Sequence, residues 1–137
     1  MMHDLDRFVV AQAGVYPQAL AELRAGSKRS HWMWFVFPQI AGLGHSEMAR
    51  TYAIRDTDEV QAYLAHPVLG PRLIEATNAI IAAQGPADVI MGGIDAVKLR
   101  SSMTLFAAVA DDPTPFNAAL DRFFDGVADQ ATIRLLR

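Results

Sequence analysis

Lys28-Arg29-Ser30-His31-Trp32-Met33-Trp34-Phe35-Val36-Phe37-Pro38-Gln39 is the stretch on which the fold class turns. It holds both tryptophans of the chain, starts at two cations, a hydroxyl and an imidazole, and ends at a proline and an amide. No alternating apolar and polar pattern extends convincingly outside residues 31 to 37. That run is apolar on both faces, so periodicity leaves helix and strand open there. Its flanks favour a short helix, with Ser30 as N-cap and Pro38 as the stop. One strand could not build a sheet alone. The chain is therefore expected to be all-α, a single domain over residues 1–137 with about six helices joined by short Gly/Pro loops.

Outward from that stretch, helical spacing dominates. Tyr16, Ala19, Leu20 and Leu23 fall at i, i+3, i+4 and i+7, with Pro17 suited to the first turn and Gly26 to the left-handed residue after the last. Asp56 and Glu59 resemble a capping pair before the stripe Val60, Tyr63, Leu64, and His66-Pro67 stops that helix. A third helix begins around Val68, carries Leu69, Leu73, Thr77, Ile80 and Ile81, and ends before Gly85-Pro86. Asp95 can cap a fourth that runs through Phe106 to about Ala110, and Thr114 a fifth that closes at Gly126. A short C-terminal helix passes through Ile133 and Leu136.

Composition narrows the function classes. Of 137 residues, 52% are hydrophobic and 20% charged, which suits a packed domain rather than a disordered chain. The net charge of -3 supplies no cationic field, so nucleic acid is not an expected partner. The absence of cysteine removes disulfides, thiol catalysis and thiolate metal sites, and fits a reducing compartment. Met1-Met2-His3-Asp4-Leu5-Asp6 shows no signal-peptide pattern and no apolar run approaches about 20 residues, so a soluble cytoplasmic protein without membrane contact is expected. His3, His31, His45 and His66 form no i, i+4 pair with a carboxylate, hence no metal site and no cofactor are expected. Nucleophile elbows, Walker loops and dinucleotide fingerprints are missing.

Two segments interrupt apolar sequence with polar groups. On the helix Asp95 to Phe106, Leu99, Met103, Leu105, Phe106 and Val109 share a sector with Ser102 near its centre, Lys98 lies on the margin, and Arg100 and Thr104 point away. Such a lysine must snorkel, pair with a carboxylate or meet a bound anion. Ser102 either back-bonds to the Lys98 carbonyl or joins Ser101 in holding a phosphate or carboxylate. The second segment runs from the basic group Arg24, Lys28, Arg29, His31 through Trp32 and Trp34 to Gly42-Leu43-Gly44, with Ser46 able to cap a helical turn at Glu47. Its indoles can stack on a ring or simply pack.

Ser30 to Gln39, Gly42-Leu43-Gly44-His45-Ser46, Tyr52-Ala53-Ile54 and Lys98 to Phe106 together resemble the bacterial family called domain of unknown function 1810, over nearly the whole chain. The resemblance implies a mainly helical single domain and no established activity. Members are sometimes labelled calpastatin, after a polar, extended, disordered inhibitor. A chain that is 52% hydrophobic with amphipathic helices is of another physical type.

The expected function is binding of a small anionic molecule, a nucleotide or phosphorylated metabolite, where the 28–46 segment meets the 98–102 helix. Lys28 and Lys98 would neutralise it, and Ser30, Ser46, Ser101 and Ser102 would donate hydrogen bonds. Trp32, Trp34 and Tyr52 would wall the pocket, with His31 and Gln39 beside it. His31 or Lys98 would be the acid or base of any reaction. The alternative is a non-catalytic interaction module that docks a helix or a second copy on an aromatic surface.

Overall fold

Ten helices follow one another in the computed structural model, which describes residues 4–136; His3 and the outermost ends of the expected domain lie outside them. They are α1 (Asp6–Gln12), α2 (Tyr16–Ala25), α3 (Met33–Val36), α4 (Glu47–Thr51) and α5 (Thr57–Ala65). Then come α6 (Leu69–Ala82), α7 (Ala87–Met91), α8 (Gly93–Val109), α9 (Thr114–Phe124) and α10 (Gln130–Leu135). The all-α expectation stands, and the only β feature among the described residues is an isolated parallel bridge between Ile40 and Ile54. No helix among them is long and apolar enough to cross a membrane.

The count of about six helices is corrected to ten. The helices with a wide apolar stripe lie close to where spacing puts them, whereas α1 and α7, each two turns or fewer, are too short to display a period. Local chemistry decides the ends. Gly26 takes φ +72° after α2, Ser46 Oγ accepts from Ala49 N–H at 3.1 Å, and Asp56 Oδ1 accepts from Glu59 N–H at 2.9 Å. Three expected caps are replaced. Ser30 donates its hydroxyl to Glu22 instead, Asp95 sits inside the first turn of α8, and Thr114 opens α9 while Asp112 accepts from its N–H and hydroxyl.

Helix α8 is the axis of the molecule. It is about 25 Å long at 1.5 Å per residue, and it packs against α5, α7, α9 and α10. Residues 101 to 106 are buried on every side, which explains why this helix lacks a clear polar face. Phe106 joins Tyr63 and Phe116, with ring centroids 5.4 and 5.7 Å apart. Arg100 and Thr104, expected to point away, instead grip the C-terminal segment: Arg100 donates to the Val127 and Ala128 carbonyls, and Asp129 N–H donates to Thr104 Oγ1.

Two glycines give opposite tests of this packing. A Cβ on Gly70 would stand 2.2 Å from the Leu64 carbonyl oxygen, because the corner at His66-Pro67 presses α6 onto the end of α5. At Gly93, the first residue of α8, a Cβ meets nothing within 4 Å. Gly70→Ala is expected to cost about 1–3 kcal/mol or more and Gly93→Ala to gain about 0.4–1 kcal/mol, read from urea denaturation midpoints.

Candidate functional site

The basic and aromatic stretch closes around a carboxylate of the protein itself. Helix α2 presents the buried Glu22 to the segment that follows. Its Oε1 accepts from Arg29 N–H (2.9 Å), Ser30 N–H (3.1 Å) and Trp32 Nε1 (2.9 Å), and its Oε2 from Ser30 Oγ (2.6 Å) and Gln18 Nε2 (3.1 Å). Burial by itself would raise this carboxyl's pKa. The hydrogen bonds from the Ser30 hydroxyl, Arg29 N–H, the Trp32 indole and Ser30 N–H outweigh it and hold the group well below the usual carboxylate range. Of the donors expected to bind an external anion, Ser30 is thus occupied by an internal one.

This placement removes several expected residues from any open site. Trp32 is fully buried, with its indole N–H on Glu22 and the Lys28 ammonium 4.9 Å from its ring centroid. Ser30 is spent on Glu22. Lys28 donates to the Ser30 carbonyl at 2.7 Å and pairs with Asp95 Oδ2 at 2.9 Å, its side chain only 7% exposed. His31 is exposed and lines none of the main cavities. Ser102 is wholly buried, and its Oγ has no hydrogen-bond partner among the described residues. The back-bond to the Lys98 carbonyl is therefore absent. Ser101 makes the equivalent contact to the Val97 carbonyl at 3.3 Å and also reaches Asp129 Oδ2 at 3.1 Å.

The two segments nevertheless meet. Asp95 accepts Lys28 on Oδ2 at 2.9 Å and faces Lys98 with Oδ1 at 3.5 Å, so one carboxylate serves two ammonium groups. That trio carries one uncompensated positive charge. Lys98 is the more exposed of the two lysines, at 27%, and its ammonium lies 4.7 Å from the Trp34 ring centroid. Below it opens a cavity of about 190 Å³ lined by Trp34, Gln39, Ser46, Tyr52 and Lys98, five of the expected residues, together with Gly44 and His45.

Its walls are held from behind. Ile54 N–H donates to the Gln39 carbonyl at 2.9 Å and Ala41 N–H to the Ile54 carbonyl at 2.8 Å, which ties the loop before α4 to the segment after it. Arg7 donates to the Thr51 and Ala53 carbonyls and pairs with Glu59 at 3.0 Å. The Tyr52 ring packs on Phe35 and Phe8. Gly44 is required by space, since a Cβ there would stand 2.6 Å from that of Ala49. The side chains of Trp34, Gln39, His45 and Tyr52 make no hydrogen bond among the described residues, so their donors remain available to a ligand. No group of three His, Cys, Asp or Glu among the described residues could hold a metal ion.

Sequence reasoning missed Glu22 and the pairing role of Asp95. Glu22 lies on the flank of the Tyr16, Ala19, Leu20, Leu23 stripe, and a carboxylate beside a buried stripe was the available signal. The family model described as protein of unknown function (DUF1810) matches residues 2–136. Among solved structures, the chain is similar to the crystal structure of the conserved hypothetical protein Rv1873 from Mycobacterium tuberculosis. The two are 51% identical over 97% of this chain and 96% of that one, with a TM-score of 0.95. No curated protein matches.

Glu22→Gln keeps the shape of the internal anion and removes its charge. A cost of about 2–3 kcal/mol at neutral pH is expected, because five donors lose an ionised acceptor. A carboxylate with a depressed folded pKa stabilises above its unfolded pKa of about 4.3 and loses that contribution as pH falls toward the folded value. The gap between wild type and variant should therefore narrow in acid, as measured by urea unfolding at neutral pH and at about pH 3.5.

Proposed function

Because the chain belongs to the DUF1810 family, whose description names no function, we propose on physical grounds that it binds a small anion in the cavity under Lys98. The observation that carries this reading is the sharing of Asp95 by two lysines, which leaves a positive charge at the rim of an aromatic-walled cavity. Lys98 supplies that charge. Gln39, Ser46, Tyr52 and the Trp34 indole supply hydrogen bonds, and the faces of Trp34 and Tyr52 supply the wall.

Size shapes the ligand. At about 190 Å³ the cavity falls below the roughly 300 Å³ at which drug-sized sites begin. A phosphate or carboxylate group fits inside it, and a whole nucleotide would have to extend beyond it. Lys28, Ser30, Trp32 and Ser102 then act at a distance: the first three set the position of Trp34, and Ser102 belongs to the core behind the site. His31 has no part in this reading. Lys98 is the group best placed for acid or base work if a reaction accompanies binding.

Thermal-shift and calorimetric titrations with inorganic phosphate, acetate and small phosphorylated metabolites test the reading. Lys98→Ala should weaken binding about ten- to hundredfold, the range of one charge-assisted contact, while leaving the unliganded midpoint within a few degrees of wild type. Anion affinities equal in wild type and Lys98→Ala would sink it.

A further inference from the structure

We propose that the ligand is an amphiphilic monoanion whose charged head sits at Lys98 and whose apolar tail lies along Leu43, Ile94 and Val97; this rests on the anion site proposed above. The starting point is a second cavity, of about 410 Å³, that shares Gln39, Gly44 and Lys98 with the first. Its remaining walls are Leu43, Ile94, Val97, Ser101 and Asp129. The two spaces therefore adjoin at Gln39, Gly44 and Lys98.

The outer arm is apolar by construction. Ile94, Val97, Lys98 and Ser101 fall at i, i+3, i+4 and i+7, so they form a single stripe on α8. Ile94 is 77% exposed and Val97 67%, on a helix whose other faces furnish the core. The Ser101 hydroxyl and one carboxylate oxygen of Asp129 are already satisfied within the protein. Ser101 Oγ reaches Asp129 Oδ2, and the same oxygen accepts from Thr132 N–H at 3.1 Å and Thr132 Oγ1 at 2.5 Å. A ligand acceptor would find no free donor there, whereas an alkyl segment would cover Ile94 and Val97. The unspent donors, Lys98 and Gln39, lie at the end that both cavities share.

Asp129 adds selectivity. It lies in the arm that the inner cavity does not share, and its hydrogen bonds to Thr132 and Ser101 outweigh burial to keep it ionised. A tail with a second negative group would approach that carboxylate, so one anionic head is favoured over a diacid. The groove therefore suits a straight-chain or similarly slender monocarboxylate.

Calorimetric titration of the full chain with acetate, butanoate, hexanoate and octanoate tests this, with octanol and octanedioate as controls. Affinity should rise about twofold per methylene, roughly half the fold-change of full burial because the arm is open on one side. Octanol and octanedioate should bind at least about tenfold more weakly than octanoate. The paired variant Ile94→Ser, Val97→Ser should flatten the chain-length dependence and leave acetate affinity unchanged. Both positions are exposed, so the variant should fold, which circular dichroism checks.

A flat series that still depends on Lys98 would overturn the tail and leave the anion site standing. A rise with chain length that octanol reproduces and Lys98→Met leaves intact would overturn the proposal, because the groove would then take apolar chains without a head. Binding of no member of the series, or of short anions independently of Lys98, would remove the anion site and this proposal with it. A flat series together with a dimer in sedimentation that the paired serine variant dissolves would assign the stripe to a second copy and overturn the proposal.

Discussion

The carboxylate of Glu22 is the constraint around which the rest of this structure is arranged. A buried anion is costly unless donors surround it, and here the polypeptide turns back after α2 to bring four of them, with Gln18 of α2 itself supplying a fifth. Two of those donors are backbone N–H groups at Arg29 and Ser30, which fixes the path of the chain and not only of its side chains. Trp32 is drawn into the core by its indole N–H, and Trp34, two residues on, is left at the surface of the cavity. The two tryptophans thus have separate duties from almost adjacent positions.

A second electrostatic device follows from the first. With the backbone held at Ser30, Lys28 lies against its carbonyl and meets Asp95 at the start of α8. Asp95 then has less to offer Lys98 one turn later, and the distances of 2.9 and 3.5 Å record that inequality. The central helix thereby carries an ammonium group beside an indole face at the mouth of a cavity. Packing locks this in place, since the residues just beyond Lys98 on α8 are buried among α5, α9 and α10.

Much of the fold was legible from spacing. The stripes on α2, α5, α6 and α9 and the punctuation at Gly26, His66-Pro67 and Ser46 all act through neighbours three or four residues away, and such signals survive in a linear sequence. The candidate site was legible in part. Trp34, Gln39, Ser46, Tyr52 and Lys98 line one cavity, but Ser30 and Trp32 could not be separated from them, because the partner that claims both lies on the preceding helix. An N-cap role for Ser30 and a stacking role for Trp32 were each reasonable locally and were displaced by a stronger acceptor.

Sequence by itself determined the helical class, the extent of the longer helices and the two segments where polar groups break apolar runs. Those properties depend on periodicity, on backbone restrictions at glycine and proline, and on side chains that cap their own turn. Only the tertiary structure decided which polar groups are spent and which remain free. Whether a lysine, serine or indole faces a ligand depends on whether a carboxylate from elsewhere reaches it first, and hydrogen-bond saturation is a property of three-dimensional neighbours rather than of residue type.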